Sequence, residues 1–310
     1  MNILSAGISD VGKKREINED SLLLDGGMGI YVVADGIGGQ DDGEMASRRA
    51  LLSVYECLKE ALKGKEGSKQ SVAAMERLLR RAIGIAAKEI FQLAETENGM
   101  GTTLTALLVV RGKGIMAHVG DSRLYVHRGG VMHQLSRDHT WAQEMIRGQK
   151  MRSKVANNHP MANLLTRALG LEETVLIDTR TFSLKAGDIY LLCTDGLTGH
   201  VTDDELATLL GSTDDMKNLS ERLVSMANER GGLDNITVVL VRVEDPREDA
   251  VANPMTVGEP RIPTLVERDK KPRREDEGLV LNKMTSMNLT VEPDADPDEP
   301  QDAPPASEDS

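Results

Sequence analysis

The amino-acid sequence predicts an α+β sandwich with antiparallel sheets. Two long amphipathic helices occur together early in the chain, a run of short strands follows them, and a second pair of helices precedes the last strand. Short polar or glycine-rich connections join successive strands and favour antiparallel pairing. A doubly wound parallel sheet would instead alternate strands and helices one for one.

The first strands surround a glycine-rich turn. Strands are predicted over residues 2–9, 21–25 and 30–34. The third is an unbroken apolar run, typical of a strand buried on both faces, and it stops at Asp35 and Gly36. A buried strand therefore delivers a carboxylate to a tight turn.

Helical spacing of apolar residues begins after Gly43. It predicts helices over residues 46–62 and 72–93, joined by a polar loop at residues 64–69. The pattern then changes to strands, which we interpret as one antiparallel meander, at residues 104–110, 115–119, 124–127 and 131–135. Further strands are predicted over 174–183, 189–193 and 236–243, and further helices over 203–210 and 216–229.

Composition divides the chain near residue 244. Ten of the 11 prolines lie after Glu244, and residues 245–310 carry 17 acidic side chains against 8 basic ones. Such a segment has too few large apolar residues to form a core, and its like charges repel. We therefore predict a folded domain over residues 1–244 and a disordered, acidic, proline-rich tail over residues 245–310.

Charge and cysteine content exclude several classes of protein. The net charge of −13 argues against nonspecific binding of nucleic acid. The two cysteines, Cys57 and Cys193, fall within a predicted helix and a predicted strand, where a buried thiol is more usual than a disulfide. No apolar run reaches the about 18 to 20 residues that a membrane span needs. We expect a monomeric cytoplasmic protein.

Four aspartates occupy the same kind of position. Asp35, Asp121 and Asp195 each follow a predicted core strand, and Asp234 precedes one. Any one Asp beside a glycine is usually a turn residue or a helix cap. If the four strand ends converge, however, like charges meet that cations must neutralise, and all-oxygen ligands suit Mg²⁺ or Mn²⁺. The repeated pattern favours a metal site.

Six short motifs occur along the chain in the following order: Arg15-Glu16-Ile17-Asn18-Glu19-Asp20, Val33-Ala34-Asp35-Gly36-Ile37-Gly38-Gly39, Gly101-Thr102-Thr103, Val119-Gly120-Asp121-Ser122-Arg123, Cys193-Thr194-Asp195-Gly196-Leu197 and Asp234-Asn235-Ile236-Thr237. In order and spacing they resemble the motifs of the type 2C metal-dependent protein Ser/Thr phosphatases, in particular the bacterial branch. The resemblance covers about residues 5–243. Each motif alone is modest evidence for the family, but six motifs in the same order and spacing are highly specific.

This resemblance implies a four-layer α/β/β/α sandwich, in which helix pairs flank two central antiparallel sheets and two Mn²⁺ or Mg²⁺ ions lie at one end. It also implies roles for eight residues. In this family pattern Asp35 bridges both ions, the carbonyl of Gly36 helps to hold one of them, and Asp195 and Asp234 complete the other. Asp121 and Asp195 contribute to a third, looser metal site. Glu19 and Asp20 match acidic residues that hold metal-bound waters. Arg15 matches the residue that binds the substrate phosphate.

The implied reaction is hydrolysis of phosphoserine and phosphothreonine in protein substrates. A water or hydroxide that bridges the two ions attacks phosphorus in line, so Cys193 is not needed as a nucleophile although it lies two residues before Asp195. The expected partners are phosphorylated proteins and an opposing bacterial Ser/Thr kinase. One position departs from some family members, because Ile37 stands where they have a histidine proposed as general acid.

We expect specific functions for two further segments of the chain. Residues 138–170 resemble the mobile flap of the family, and we expect the flap to select protein substrates. The tail is a spacer by default. Its threonines at positions 256, 264 and 290 are candidates for phosphorylation, which would allow a phosphothreonine-binding partner to recognise the tail.

Two alternatives remain open at this point. A catalytically weak, phosphatase-like scaffold or sensor would share the fold but lose metal carboxylates, whereas Asp35, Asp195 and Asp234 are all present. A nucleotide-binding protein could use the glycines of residues 36–39. That turn lacks both the third glycine of a dinucleotide loop and the lysine pattern of a P-loop.

Overall fold

Two five-stranded antiparallel sheets pack face to face in the computed structural model, which describes residues 2–39, 42–62, 70–96, 99–212 and 214–245. The predicted loop at 64–69 and the predicted tail, apart from Asp245, lie outside the described residues. In chain order the strands are β1 (Asn2–Asp10), β2 (Ser21–Asp25), β3 (Ile30–Ala34), β4 (Gly36–Ile37), β5 (Gly101–Thr102), β6 (Leu104–Val110), β7 (Lys113–Val119), β8 (Arg123–Arg128), β9 (Val131–Gln134), β10 (Asp178–Ser183), β11 (Ile189–Cys193) and β12 (Ile236–Asp245).

The first sheet has the strand order β1-β12-β11-β8-β9, and the second has the order β10-β7-β6-β3-β2. Strands β4 and β5 form a separate two-stranded ribbon. The helices are α1 (Asp42–Leu62), α2 (Val72–Thr96), α3 (Trp141–Arg147), α4 (Ser153–Asn157), α5 (Asp195–Thr198), α6 (Asp203–Leu210) and α7 (Met216–Glu229). No helix in the described ranges is both long and apolar enough to cross a membrane.

Alternation along the strands separates three apolar layers. In β3, Tyr31 and Val33 point between the sheets, whereas Val32 points outward against α1 and α2. In β11, Leu192 likewise faces the other sheet and Leu191 packs against α6 and α7. Since every strand in the middle of each sheet is covered on both faces, the chain forms the four-layer α/β/β/α sandwich that was predicted.

The predicted meander is wrong at one junction. Strands β6 and β7 pair in the second sheet, but β8 and β9 pair in the first, so the chain changes sheets at residues 120–122. Gly120 makes this crossing with φ +106°, and a Cβ there would lie 2.5 Å from Cβ of Thr103. The crossing places Asp121 between the end of β7 and the start of β8, where the chain passes from one sheet to the other.

Other differences are local. Strand β10 begins at Asp178 rather than at residue 174, and the short elements α4, α5, β4 and β5 were not predicted. Residues 138–170 form a compact insertion with a small core of their own, in which Trp141 stacks on His159 with ring centroids 4.3 Å apart. Helices of four or five residues carry too little periodicity to be read from sequence.

Candidate metal centre

The strand registers bring the predicted aspartates to one end of the sandwich. In the first sheet, Cys193 pairs with both Val238 and Arg123, so Asp195 emerges beside the start of β12. In the second sheet, Val119 pairs with Leu104, and the ends of β3 and β7 therefore lie together. Antiparallel pairing makes the end of one strand meet the start of its neighbour.

Five carboxylates interact electrostatically at this end. Burial raises the pKa of Asp35 well above its ordinary value, and the charges of Asp20 and Asp195 act in the same direction. Asp121 and Asp234 add to the effect. Mutual repulsion of this kind disfavours the ionised state unless a cation is present. The cluster therefore has the charge distribution of a cation site.

Glu19 and Asp20 extend the cluster from the loop before β2. Burial raises the pKa of each carboxyl to about 7. Asp20 accepts a hydrogen bond of 2.8 Å from Oγ1 of Thr194, which links this loop to the residue before Asp195. Burial, together with the charge of Asp195, also raises the pKa of Asp121 to about 7.

Arg15 lies at the rim of the carboxylate cluster. Its Nη2 donates to Oδ2 of Asp234 over 2.8 Å, and its Nη1 lies 3.9 Å from Oε2 of Glu19. The Arg15 side chain is 48% exposed, so it is accessible from solvent. A guanidinium with free donors beside an anionic cleft can recognise an entering phosphate.

Two threonines hold the turn that carries Asp35. The backbone N–H of Asp35 donates to Oγ1 of Thr103 over 2.9 Å, and Oγ1 of Thr102 donates to the Asp35 carbonyl over 2.8 Å. Thr103 also shares a buried hydrogen bond of 2.7 Å with Ser122, beside Asp121. The turns after β3 and β7 are thereby locked together.

Asn235 joins the motif of Arg15 to that of Asp234. Its Oδ1 accepts from the Glu19 N–H over 2.8 Å, and its Nδ2 donates to the carbonyls of Val11 and Ile17. No role was predicted for Asn235, Thr103 or Ser122. The signal was present, because each lies within one of the six motifs.

Gly36 occupies a position with no room for a side chain. A Cβ at residue 36 would overlap the carbonyl of Gly43 and would lie 2.6 Å from the carbonyl oxygen of Glu19. The Gly36 N–H also donates to that Glu19 oxygen over 3.2 Å. Close approach of three backbone segments places Gly36, Glu19 and the start of α1 beside Asp35.

All eight predicted site residues thus lie at the same end of the sandwich. The described residues contain no group of three or more His, Cys, Asp or Glu side chains already arranged to hold an ion. The cluster offers carboxylate and carbonyl oxygens, and Asp35, Asp121 and Asp195 are only partly buried. Oxygen donors with strong mutual repulsion fit Mg²⁺ or Mn²⁺.

A sequence model of the family described as protein phosphatase 2C matches residues 12–240 of this chain. The chain belongs to the protein phosphatase 2C family. Among curated relatives, the serine/threonine phosphatase stp of Listeria monocytogenes is 37% identical over 243 residues, which cover 75% of this chain and 93% of the relative. The phosphatase PhpP of Streptococcus pneumoniae is 33% identical, with 78% and 98% covered.

Solved structures agree with this membership. The serine/threonine phosphatase of S. agalactiae superposes with a TM-score of 0.71 at 30% identity and covers 78% of this chain and 100% of its own. The catalytic domain of the phosphatase PstP, solved in complex with two manganese ions, has a TM-score of 0.66 at 31% identity, with 78% and 99% covered. The chain is a metal-dependent protein-serine/threonine phosphatase of the bacterial type.

In this protein phosphatase 2C domain, Cys193 is not exposed for chemistry. Its side chain is completely buried in the apolar layer beneath α6 and α7, and burial raises the pKa of its thiol to about 12. A protonated, inaccessible thiol cannot attack a phosphoester. Cys57 and Cys193 are both free cysteines.

Proposed function

We propose that the carboxylate cluster around Asp35 is the catalytic centre at which this phosphatase hydrolyses phosphoserine and phosphothreonine. One observation carries the proposal: five aspartates converge at one end of the sandwich, and burial together with their mutual repulsion raises the pKa of the central Asp35. A cluster of this kind is costly to maintain without a function. We propose Mn²⁺ or Mg²⁺ as the native ion, two per domain, with a third more loosely held.

We propose for each carboxylate the role that the family resemblance implies. Asp35 would hold both ions, and the carbonyl of Gly36 would support one of them. Asp195 and Asp234 would hold the other. Asp121, which the sheet crossing places beside Asp195, shares the third site with it, while Glu19 and Asp20 orient water at the rim.

The ions, when bound, supply Lewis acidity that activates water for in-line attack and neutralises charge on the phosphoryl group. Arg15 binds the phosphate through donors that do not face Asp234, and a planar guanidinium can contact two phosphate oxygens at once. Asp35 and Asp195 lie just after the buried strands β3 and β11, which restrict the movement of both carboxylates. A substrate bound there is therefore positioned by a rigid framework.

The domain boundaries and partners belong to the same proposal. We propose a catalytic domain over residues 1–244, a spacer tail over residues 245–310 and a flap at 138–170 that contributes to choice of substrate. The activity would oppose a Ser/Thr kinase, and phosphorylated tail threonines would bind a phosphothreonine-recognising partner. The alternative of a catalytically weak scaffold is disfavoured, because Asp35, Asp195 and Asp234 are retained together.

A comparison of wild type with Asp35→Asn tests the proposed centre. The substitution removes one charge from a repulsive cluster, so we expect the metal-free variant to melt at or above the temperature of the metal-free wild type. It should nevertheless lose both the Mn²⁺-induced rise in Tm and the Mn²⁺-dependent hydrolysis of a phosphothreonine peptide. Asp204→Asn, an exposed carboxylate in α6, is the matched control and should keep both responses.

The proposal fails if Asp35→Asn retains the Mn²⁺ response and the activity of wild type. It also fails if hydrolysis by wild type persists unchanged after exhaustive chelation of metal. Measuring Tm and turnover on the same preparations separates a loss of metal binding from a loss of fold.

A further inference from the structure

A groove of about 740 Å³ lies between the open edges of the two sheets. Strand β9 is one edge of the first sheet and β10 is one edge of the second, and among the residues that the structure describes each pairs with a single neighbour. Gln134 at the end of β9, Thr179 in β10 and Gln143 of α3 all line the groove. An exposed strand edge can pair with an extended peptide.

Charges in the groove are not balanced. Its two carboxylates are already engaged, because Asp138 accepts three hydrogen bonds of 2.7 to 3.0 Å from Arg123, and Asp178 accepts one of 3.1 Å from Arg167. Arg137 and Arg180 also line the groove, and both are exposed. Neither guanidinium has an ion pair or hydrogen bond with any other residue that the structure describes.

Arg137 and Arg180 place two exposed positive charges in one groove of an acidic chain. The protein carries a net charge of −13, and yet Arg137 and Arg180 leave this groove positive. A volume of about 740 Å³ is far larger than a single phosphate ion needs and lies in the range of clefts that bind sizeable ligands. Size and charge together fit several residues of an acidic peptide.

The groove begins close to the proposed catalytic centre. Strand β7 leads to Asp121, and its residue Met116 pairs with Arg180 of β10. At about 3.3 Å per residue, the five positions between Met116 and Asp121 correspond to roughly 16 Å of extended chain. A peptide whose phosphoresidue lies at the centre would therefore reach Arg180 with a residue about five positions away.

We infer that this groove binds an acidic segment of the phosphoprotein substrate, about four to six residues from the phosphorylated residue, through Arg137 and Arg180. The inference rests on the proposed catalytic centre and adds to it a preference among substrates. Direct contact of guanidinium with carboxylate supplies the selectivity, and the open strand edges favour an extended peptide. The preference falls as ionic strength rises, because both arginines are exposed to solvent.

Three phosphothreonine peptides test the inference. One is neutral, and the others carry three Asp or Glu residues four to six positions to the amino-terminal or carboxyl-terminal side of the phosphothreonine. We expect wild type to favour one acidic peptide in kcat/KM by about five- to twentyfold at low salt. In Arg137→Gln/Arg180→Gln this ratio should fall close to one through a higher KM, while hydrolysis of a small aryl phosphate is unchanged.

Two further variants make the comparison specific. Arg80→Gln/Arg81→Gln removes the same charge from exposed positions of α2 outside the groove and should keep the preference of wild type. Arg137→Glu/Arg180→Glu reverses the charge and should favour a peptide with lysines in place of the acidic residues. If only total charge matters, both double glutamine variants will lose the preference equally, and the inference is wrong.

Other outcomes also decide the question. Wild type without preference for either acidic peptide, or a groove variant that keeps the preference, overturns the docking site while leaving aryl phosphate hydrolysis intact. A groove variant that loses aryl phosphate hydrolysis in parallel also overturns it, because the arginines would then act on the catalytic centre. Absence of metal-dependent aryl phosphate hydrolysis in wild type would instead contradict the proposed function.

Discussion

Nη2 of Arg15 donates a 2.8 Å hydrogen bond to Oδ2 of Asp234, and so joins the loop after β1 to the loop before β12. The two residues are 219 positions apart in sequence. Both side chains are more than one third exposed, with values of 48% for Arg15 and 37% for Asp234. An exposed pair contributes little to stability, so substitutions at either residue can test the proposed function without unfolding the domain.

Replacement of Arg15 by lysine tests the proposed phosphate contact. Lysine keeps the charge but cannot offer the planar fork of donors, so we expect kcat/KM for a phosphothreonine peptide to fall by about tenfold or more. The fold should be retained, as judged by Tm. Arg49→Lys, in an ion pair that links α1 to α2, is the control and should leave kcat/KM unchanged. Wild-type kinetics in Arg15→Lys would exclude bidentate phosphate binding.

Gly36→Ala should reduce stability and metal binding strongly, although it adds only one methyl group. The new Cβ would overlap the Gly43 carbonyl and displace Glu19, so we expect a loss of about 1 to 3 kcal/mol in the free energy of unfolding and loss of the Mn²⁺-induced rise in Tm. In contrast, a Cβ at Gly84 in α2 meets nothing within 4 Å. Gly84→Ala should stabilise the protein by about 0.5 to 1 kcal/mol. Chemical denaturation of both variants provides the measurement, and similar effects would contradict the packing described.

Cys193→Ser should remain active. The thiol is buried and its pKa is raised to about 12 by burial, so we expect kcat/KM within about twofold of wild type, with a stability loss of about 1 to 3 kcal/mol from the buried hydroxyl. A thiol reagent applied to native Cys57→Ser protein should not label Cys193. Loss of activity in folded Cys193→Ser would show that the thiol takes part in catalysis.

Asp188→Asn should reduce stability in a pH-dependent way. The Asp188 side chain is 1% exposed and accepts hydrogen bonds from Arg128, the Lys185 N–H and the Tyr190 hydroxyl. Burial alone would raise its pKa, but these donors hold the pKa below its ordinary value. At pH 7 we expect the variant to lose about 2 to 4 kcal/mol in the free energy of unfolding.

The direction of the pH effect follows from the lowered pKa. The native carboxylate contributes stability above the unfolded-state pKa of about 4, and that contribution is lost as the pH falls through the lower native value. Wild type and Asp188→Asn should therefore converge in stability below about pH 4. Glu173→Gln, which breaks an exposed pair with Lys88, should show little change at any pH. A constant difference for Asp188→Asn across this range would refute the explanation.

The local pattern of apolar and polar residues was sufficient to predict many of the helices and strands of this protein. The bounds of β2, β3, α6 and α7 match the predictions residue for residue, because unbroken apolar runs and helical periodicity are encoded in adjacent residues. The six motifs also identified the family and named eight residues that lie at one end of the sandwich. Residue type and order carry that information without coordinates.

Tertiary structure decided which elements meet. Strands β7 and β8 look like neighbours in a meander, yet they belong to different sheets, and no local signal in the sequence distinguishes these arrangements. The same long-range packing places Asn235 against Glu19 and leaves the edges of β9 and β10 open beside Arg180. Contacts between residues far apart in sequence depend on the whole core. For this reason the sequence could name candidate site residues from their motifs, whereas the groove became visible only in the fold.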